Sequence, residues 1–128
     1  MKISLSLFKA LLTLLLLAGC SNDAVLNKAR GLSQAQLAAI YECISAAAAE
    51  RPGRGFNLRG SRVPAELAPL DTDGVEIMGS MARIYLGGPP QDGAYLFVYG
   101  LGMSPAEASI ELVPDSDGPH EVLWRKAH

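Results

Sequence analysis

The run Ala94 to Leu101, AYLFVYGL, commits the chain to a sheet. It is short, rich in aromatic and β-branched residues, and apolar on both of its faces, as a strand covered on both sides must be. Tyr95, Phe97 and Tyr99 fall on one face of that strand. Such a row is expected to pack beneath a helix, the candidate being residues 33–50; an uncovered aromatic face used for binding is the alternative.

Three Asp-Gly pairs, Asp73-Gly74, Asp92-Gly93 and Asp117-Gly118, divide the second half of the chain into β-prone runs. Val75 to Leu86 alternates with a slip of phase. Val75 and Ile77 fit one face, whereas Ala82, Ile84 and Leu86 fit the other, which predicts one strand bulged near Gly79-Ser80. Residues 108–113 alternate, with Ala108, Ile110 and Leu112 inward, and are read as a strand. Ser104-Pro105-Ala106-Glu107 is also a good helix start, so a helix over residues 105–112 is the competing reading. Glu121 to Lys126 closes the set.

Ahead of these lies one clear helix, from Ser33 to about Glu50. Ser33 and Gln36 fit a capping box, and Leu37, Ile40, Tyr41, Ile44, Ala47 and Ala48 recur at helical spacing. Pro52-Gly53 ends it. VPAELAPL, residues 63–70, adds a helical turn or an irregular crossing. The expected fold is therefore α+β: an N-terminal helix packed on a roughly four-stranded antiparallel sheet, one domain over residues 33–128.

The beginning of the chain has a different character. Lys2 and Lys9 make it positive, and Ala10 to Ala18 is uncharged. Those nine residues would span about 14 Å as a helix, roughly half a bilayer's hydrocarbon core, which suits the apolar region of a secretory signal rather than a membrane span. Leu17-Ala18-Gly19-Cys20 follows directly. It resembles the lipobox of bacterial lipoproteins at all four positions. The resemblance implies that residues 1–19 are a signal peptide cut after Gly19. It also implies that the Cys20 thiol carries a diacylglycerol and that its new amino group is acylated. Two or three chains would anchor the protein almost permanently, since one is only a marginal anchor. Location in the bacterial envelope, on the periplasmic side, follows, and Ser21 after the cysteine favours the outer membrane over the inner. Residues 21–32 then read as a tether that reaches about 40 Å when extended.

The whole chain carries a formal charge of −2; without Lys2 and Lys9 the remainder is near −4, which weighs against nucleic-acid binding. Cys43 has no partner within the chain once Cys20 is lipidated. It is expected to be a small buried residue, an intermolecular disulfide or a reactive thiol being the alternatives. No Cys/His cluster has zinc spacing, and DTDG and DSDG lack the ligands of a calcium loop, so no metal is expected. Neither a GxSxG elbow, nor HExxH, nor a phosphate loop occurs. An enzyme is not expected, and no cofactor is implied.

Arg51, Arg54, Arg59 and Arg62 fall within twelve residues that contain no acid, among glycines that suggest a loop. Guanidinium groups bind phosphate and carboxylate through paired donors, which makes these four a tentative anion site. The alternative is that they pair with Glu66, Asp71, Asp73 and Glu76, which follow directly. Two functions are expected from these features. One is a binding or scaffold module that docks on an envelope protein complex through the aromatic strand or the alanine-rich helix. The other is a lipoprotein that holds an anionic lipid or glycan at the Arg51–Arg62 loop.

Overall fold

Six strands hydrogen-bond in chain order: β1 (Phe56–Arg59), β2 (Gly74–Met78), β3 (Met81–Gly87), β4 (Ala94–Tyr99), β5 (Ser109–Val113) and β6 (Glu121–Arg125). Each pairs antiparallel with the next, so the sheet is a meander. The computed structural model describes residues 24–87, 93–102, 107–114 and 119–126. The helices precede the sheet: α1 over residues 24–30 and α2 at Gln34–Ala49. None of the described helices is long and apolar enough to cross a membrane.

The expected combination of helix and antiparallel sheet is present, with six strands rather than about four. Two local features account for the difference. Gly79-Ser80 is a two-residue turn that pairs Met78 with Met81, not a bulge in one long strand. Gly79 takes φ 68°, the positive value that a glycine supplies at the first position of a tight hairpin turn. The turn shifts the alternation as a bulge would, which is why Val75 and Ile77 share a face with Ala82, Ile84 and Leu86. The second addition is β1, in the segment expected to be a loop: Phe56 and Leu58 turn inward against the core, and Asn57 and Arg59 turn outward.

One face of the sheet carries the core. Ile77, Ile84, Leu96, Val98, Ile110 and Leu112 are fully buried beneath Leu37, Ile40 and Ile44 of α2 and Leu67 of a 3-10 helix at Ala65–Leu70. Each such aliphatic side chain contributes about 1.5–3 kcal/mol through removal from water. The capping box of α2 forms as expected: Ser33 Oγ accepts from the Gln36 amide at 3.0 Å, and Gln36 Oε1 accepts from the Ser33 amide at 2.8 Å. The Tyr41 hydroxyl donates to the Gly100 carbonyl at 2.9 Å, and its ring lies 5.2 Å from Trp124 of β6. Gly100 has φ 80°, and a β-carbon there would stand 2.5 Å from the Glu107 carbonyl oxygen, so this crossing admits only glycine. The strand reading of residues 108–113 holds as β5; Ser104, Pro105 and Ala106 lie outside the described residues.

The tether over residues 21–32 is shorter than the sequence suggests. Residues 24–30 form α1, and Leu26, Ala29 and Leu32 are buried in the same core. Arg30 clamps Glu121 of β6 through Nε at 3.1 Å and Nη2 at 3.0 Å, both to Oε1. Leu26 and Ala29 on the helix, with Leu32 just beyond it, are enough to dock these two turns on the core. The signal segment, with Gly19 and Cys20, lies outside the described residues.

Candidate binding face

Alternation places Asn57, Arg59, Glu76, Arg83, Tyr85, Tyr95, Phe97, Tyr99 and Glu111 on the face of the sheet opposite the core. Neither α1 nor α2 packs there. The expectation that Tyr95, Phe97 and Tyr99 lie under α2 is overturned: their strand neighbours Leu96 and Val98 face the helix, and the three rings are left half-buried on the other side. Both faces of β4 are apolar, so periodicity alone does not say which one the helix takes.

The rings form a continuous ladder. Tyr85 and Tyr95 are 5.6 Å apart, Tyr95 and Phe97 6.2 Å, and Phe97 and Tyr99 5.9 Å, each pair tilted or edge-to-face. These separations and tilts are those favoured by the ring quadrupole. His120 adds a fifth ring, 5.7 Å from Phe97, and its Nδ1 lies 3.0 Å from Glu111 Oε1. Burial, and then the Glu111 carboxylate, raise the Tyr99 phenol above its ordinary pKa. At the far side of the ladder, Arg83 pairs with Glu76 and lies over the Tyr95 ring at 4.8 Å. Val122, opposite Glu111 on β6, is 44% exposed.

A cleft of about 410 Å³ opens on this face where β1 to β4 meet, lined by Asn57, Arg59, Asp73, Glu76, Arg83 and Tyr85, with Tyr95 behind Arg83. Its volume is within the range of small-molecule sites. Thr72 fixes one edge: its hydroxyl donates to the Tyr85 carbonyl and accepts from the Gly74 amide at 3.3 Å, tying the start of β2 to β3.

The four arginines of the tentative anion site are distributed. Arg59 lines this cleft; Arg51 and Arg62 line a second groove of about 520 Å³ between α2 and β1; Arg54 lines neither. Arg51 lies 5.0 Å over the Phe56 ring. The strand at Phe56–Arg59 divides them, because its alternation sends Arg59 through to the outer face. Nor do they pair with the acids that follow. Among the described residues the ion pairs are Arg30–Glu121, Arg83–Glu76, His120–Glu111 and Lys126–Glu42. Arg83 and Tyr85 carry no signal of their own in the sequence, and Glu76, expected as a partner of the preceding arginines, pairs with Arg83 instead. The alternation of residues 81–87 would have placed Arg83 and Tyr85 beside the ladder once the turn at Gly79-Ser80 was recognised.

Cys43 also borders the second groove. Its thiol donates to the Ile40 carbonyl at 3.2 Å, and burial, then the Glu66 carboxylate, push its pKa up to about 11. No family model, no curated protein and no solved structure matches this chain.

Proposed function

We propose that this chain is a lipid-anchored protein of the bacterial envelope, held on the periplasmic side by acylated Cys20. In this reading it works as a non-enzymatic binding or scaffold module that docks on an envelope protein complex. The anchor rests on the lipobox residues Leu17 to Cys20 and the uncharged run before them. The docking rests on one observation: a half-buried ladder of four aromatic rings on a sheet face that none of the described helices covers. Tyrosines with polar neighbours are the side chains most used at protein interfaces, because they bury large rigid area at low entropic cost. The helix is the weaker candidate, since the outer side of α2 offers small alanines and no aromatic group. The reading in which Arg51, Arg54, Arg59 and Arg62 together hold an anionic lipid or glycan loses support from their dispersal.

Because α1 starts by residue 24, only residues 21–23 separate the domain from Cys20. Four backbone steps reach at most about 14 Å, so the anchored domain would work at the headgroup surface. The test is photo-crosslinking in intact cells, with the crosslinker at Phe97 or, separately, at Ala39 on α2. Capture of one discrete protein from Phe97 but not from Ala39, abolished by Tyr95→Ser with Tyr99→Ser, is the expected result. Capture from Ala39 alone would move the docking surface to the helix. An unmodified Cys20 in the intact mass of the purified protein would remove the anchor.

A further inference from the structure

The cleft holds four charges, of which two are joined in an ion pair and two are exposed to solvent. Arg83 is joined to Glu76 and laid over Tyr95, so it is a fixed wall. The side chains of Arg59 and Asp73 form no ion pair and no hydrogen bond with another described residue. They flank the same glycine: Asp73 precedes Gly74 in the chain, and Arg59 is its cross-strand partner. The Arg59 guanidinium lies against that glycine, where a β-carbon would stand 3.5 Å from Nη1. A cation and an anion thus share one concave site while standing farther apart than ion-pair contact.

We propose that this cleft binds a small zwitterion, its anionic group on Arg59 and its ammonium on Asp73, with the aliphatic part against Tyr85. A lone anion fits poorly, because phosphate on Arg59 would meet the Asp73 and Glu76 carboxylates; a lone cation meets Arg59 and Arg83. A ligand that carries both charges on a short spacer satisfies both free groups and leaves the Arg83–Glu76 wall intact. Guanidinium matches a carboxylate or a phosphate diester equally well. The same chemistry is therefore presented by an amino acid or short peptide and by an ethanolamine phospholipid headgroup. The inference rests on the reading of this sheet face as the binding surface.

The test is calorimetric titration of the full lipidated protein in a nonionic detergent. The probes are alanylalanine and glycerophosphoethanolamine, with inorganic phosphate and ethylamine as single-charge controls. Both zwitterions, or one of them, are expected to bind about tenfold or more tightly than either control, since each control leaves one of the two charged side chains without a partner. Stronger binding of alanylalanine assigns the site to peptides; stronger binding of glycerophosphoethanolamine assigns it to lipid headgroups. Arg59→Ala and Asp73→Ala should each remove the advantage, and the charge-swapped pair Arg59→Asp with Asp73→Arg should recover part of it, which a merely unfolded protein cannot do. Equal binding of phosphate alone, unchanged binding in both alanine variants, or no binding of any probe would overturn the proposal. Zwitterion binding without protein capture from Phe97 would count against the docking reading alone; the reverse result would count against the cleft alone.

Discussion

Cys43 sits on α2 at the edge of the apolar stripe, half-buried, with its thiol hydrogen-bonded to the Ile40 carbonyl. Desolvation first, and the nearby Glu66 carboxylate second, disfavour the thiolate and raise the pKa from 9.0 to about 11. A thiol attacks only as its thiolate, so this one is held inert at neutral pH. Alkylation by iodoacetamide in the folded protein is expected to run about a hundredfold slower at pH 7.5 than in urea, as a two-unit shift requires, and to accelerate until about pH 11. Rates followed by intact mass would check this; equal rates in folded and unfolded protein would contradict it. The linkage has a definite sign. The folded-state pKa lies above the unfolded one, so the thiol costs no stability below about pH 9, and stability falls as the pH rises from 9 toward 11. Cys43 is thus half-buried at the edge of a groove rather than the fully buried small residue expected from the sequence.

At the scale of the element, α1 is the part whose role changes most. Leu26, Ala29 and Leu32 are buried, and the Arg30–Glu121 clamp fastens the helix to β6. These two contributions differ in size. Arg30 and Glu121 are 40% and 44% exposed, and a pair in that setting contributes about 0–1 kcal/mol. Leu26 is 7% exposed, so Leu26→Ala is expected to cost about 2 kcal/mol, the low end for a core leucine because the site is at the rim. Glu121→Ala should cost less than half of that. Urea denaturation at a shared m-value would measure both, and a neutral Leu26→Ala would return residues 24–32 to the status of a tether. The sequence made α2 legible because three signals agreed there: the Ser33/Gln36 box, the stripe from Leu37 to Ile44, and the Pro52-Gly53 stop. α1 spans only seven residues, and its apolar positions, Ala24, Val25, Leu26 and Ala29, are broken by Asn27 and Lys28. β1 offered two, Phe56 and Leu58, among arginines and glycines. Sequence does not separate the hairpin at Gly79-Ser80 from a bulge, because a two-residue turn and a bulge shift the side-chain phase in the same way. Each miss is a short element whose identity is set by what it packs against, not by its own propensity.

At the scale of the whole molecule, the described residues form two layers, helices on one face of a sheet, and the candidate site follows from that arrangement. A two-layer domain leaves one sheet face to solvent, and here that face carries rings rather than only charges. The choice of face was the one fact about the site that β4 could not reveal, since both its sides are apolar. The face that α2 covers is the one that carries Ile77, Ile84, Leu96, Ile110 and Leu112, all of them buried. A consequence separates binding from stability. Removing a ring from the ladder creates no enclosed cavity, because solvent already touches it; the loss is confined to cross-strand contacts of about 0.2–1 kcal/mol each. Truncating the inner face leaves a void beneath α2 and costs about 2–5 kcal/mol. Phe97→Thr and Val98→Ala are neighbours in the chain on opposite faces, with Val98 fully buried. Although Phe97→Thr removes more atoms, it is expected to lower the melting temperature less than Ile84→Ala or Leu96→Ala, and to do so with threonine's strand propensity in its favour. With the crosslinker moved to Tyr99 on the same ladder, this variant should abolish capture of the partner. Thermal melts of the four variants by circular dichroism, run beside the crosslinking assay, would decide the matter. If Phe97→Thr unfolded the protein as readily as Leu96→Ala, the ladder would be part of the core's support, and the argument that it is held open for a partner would lose its basis.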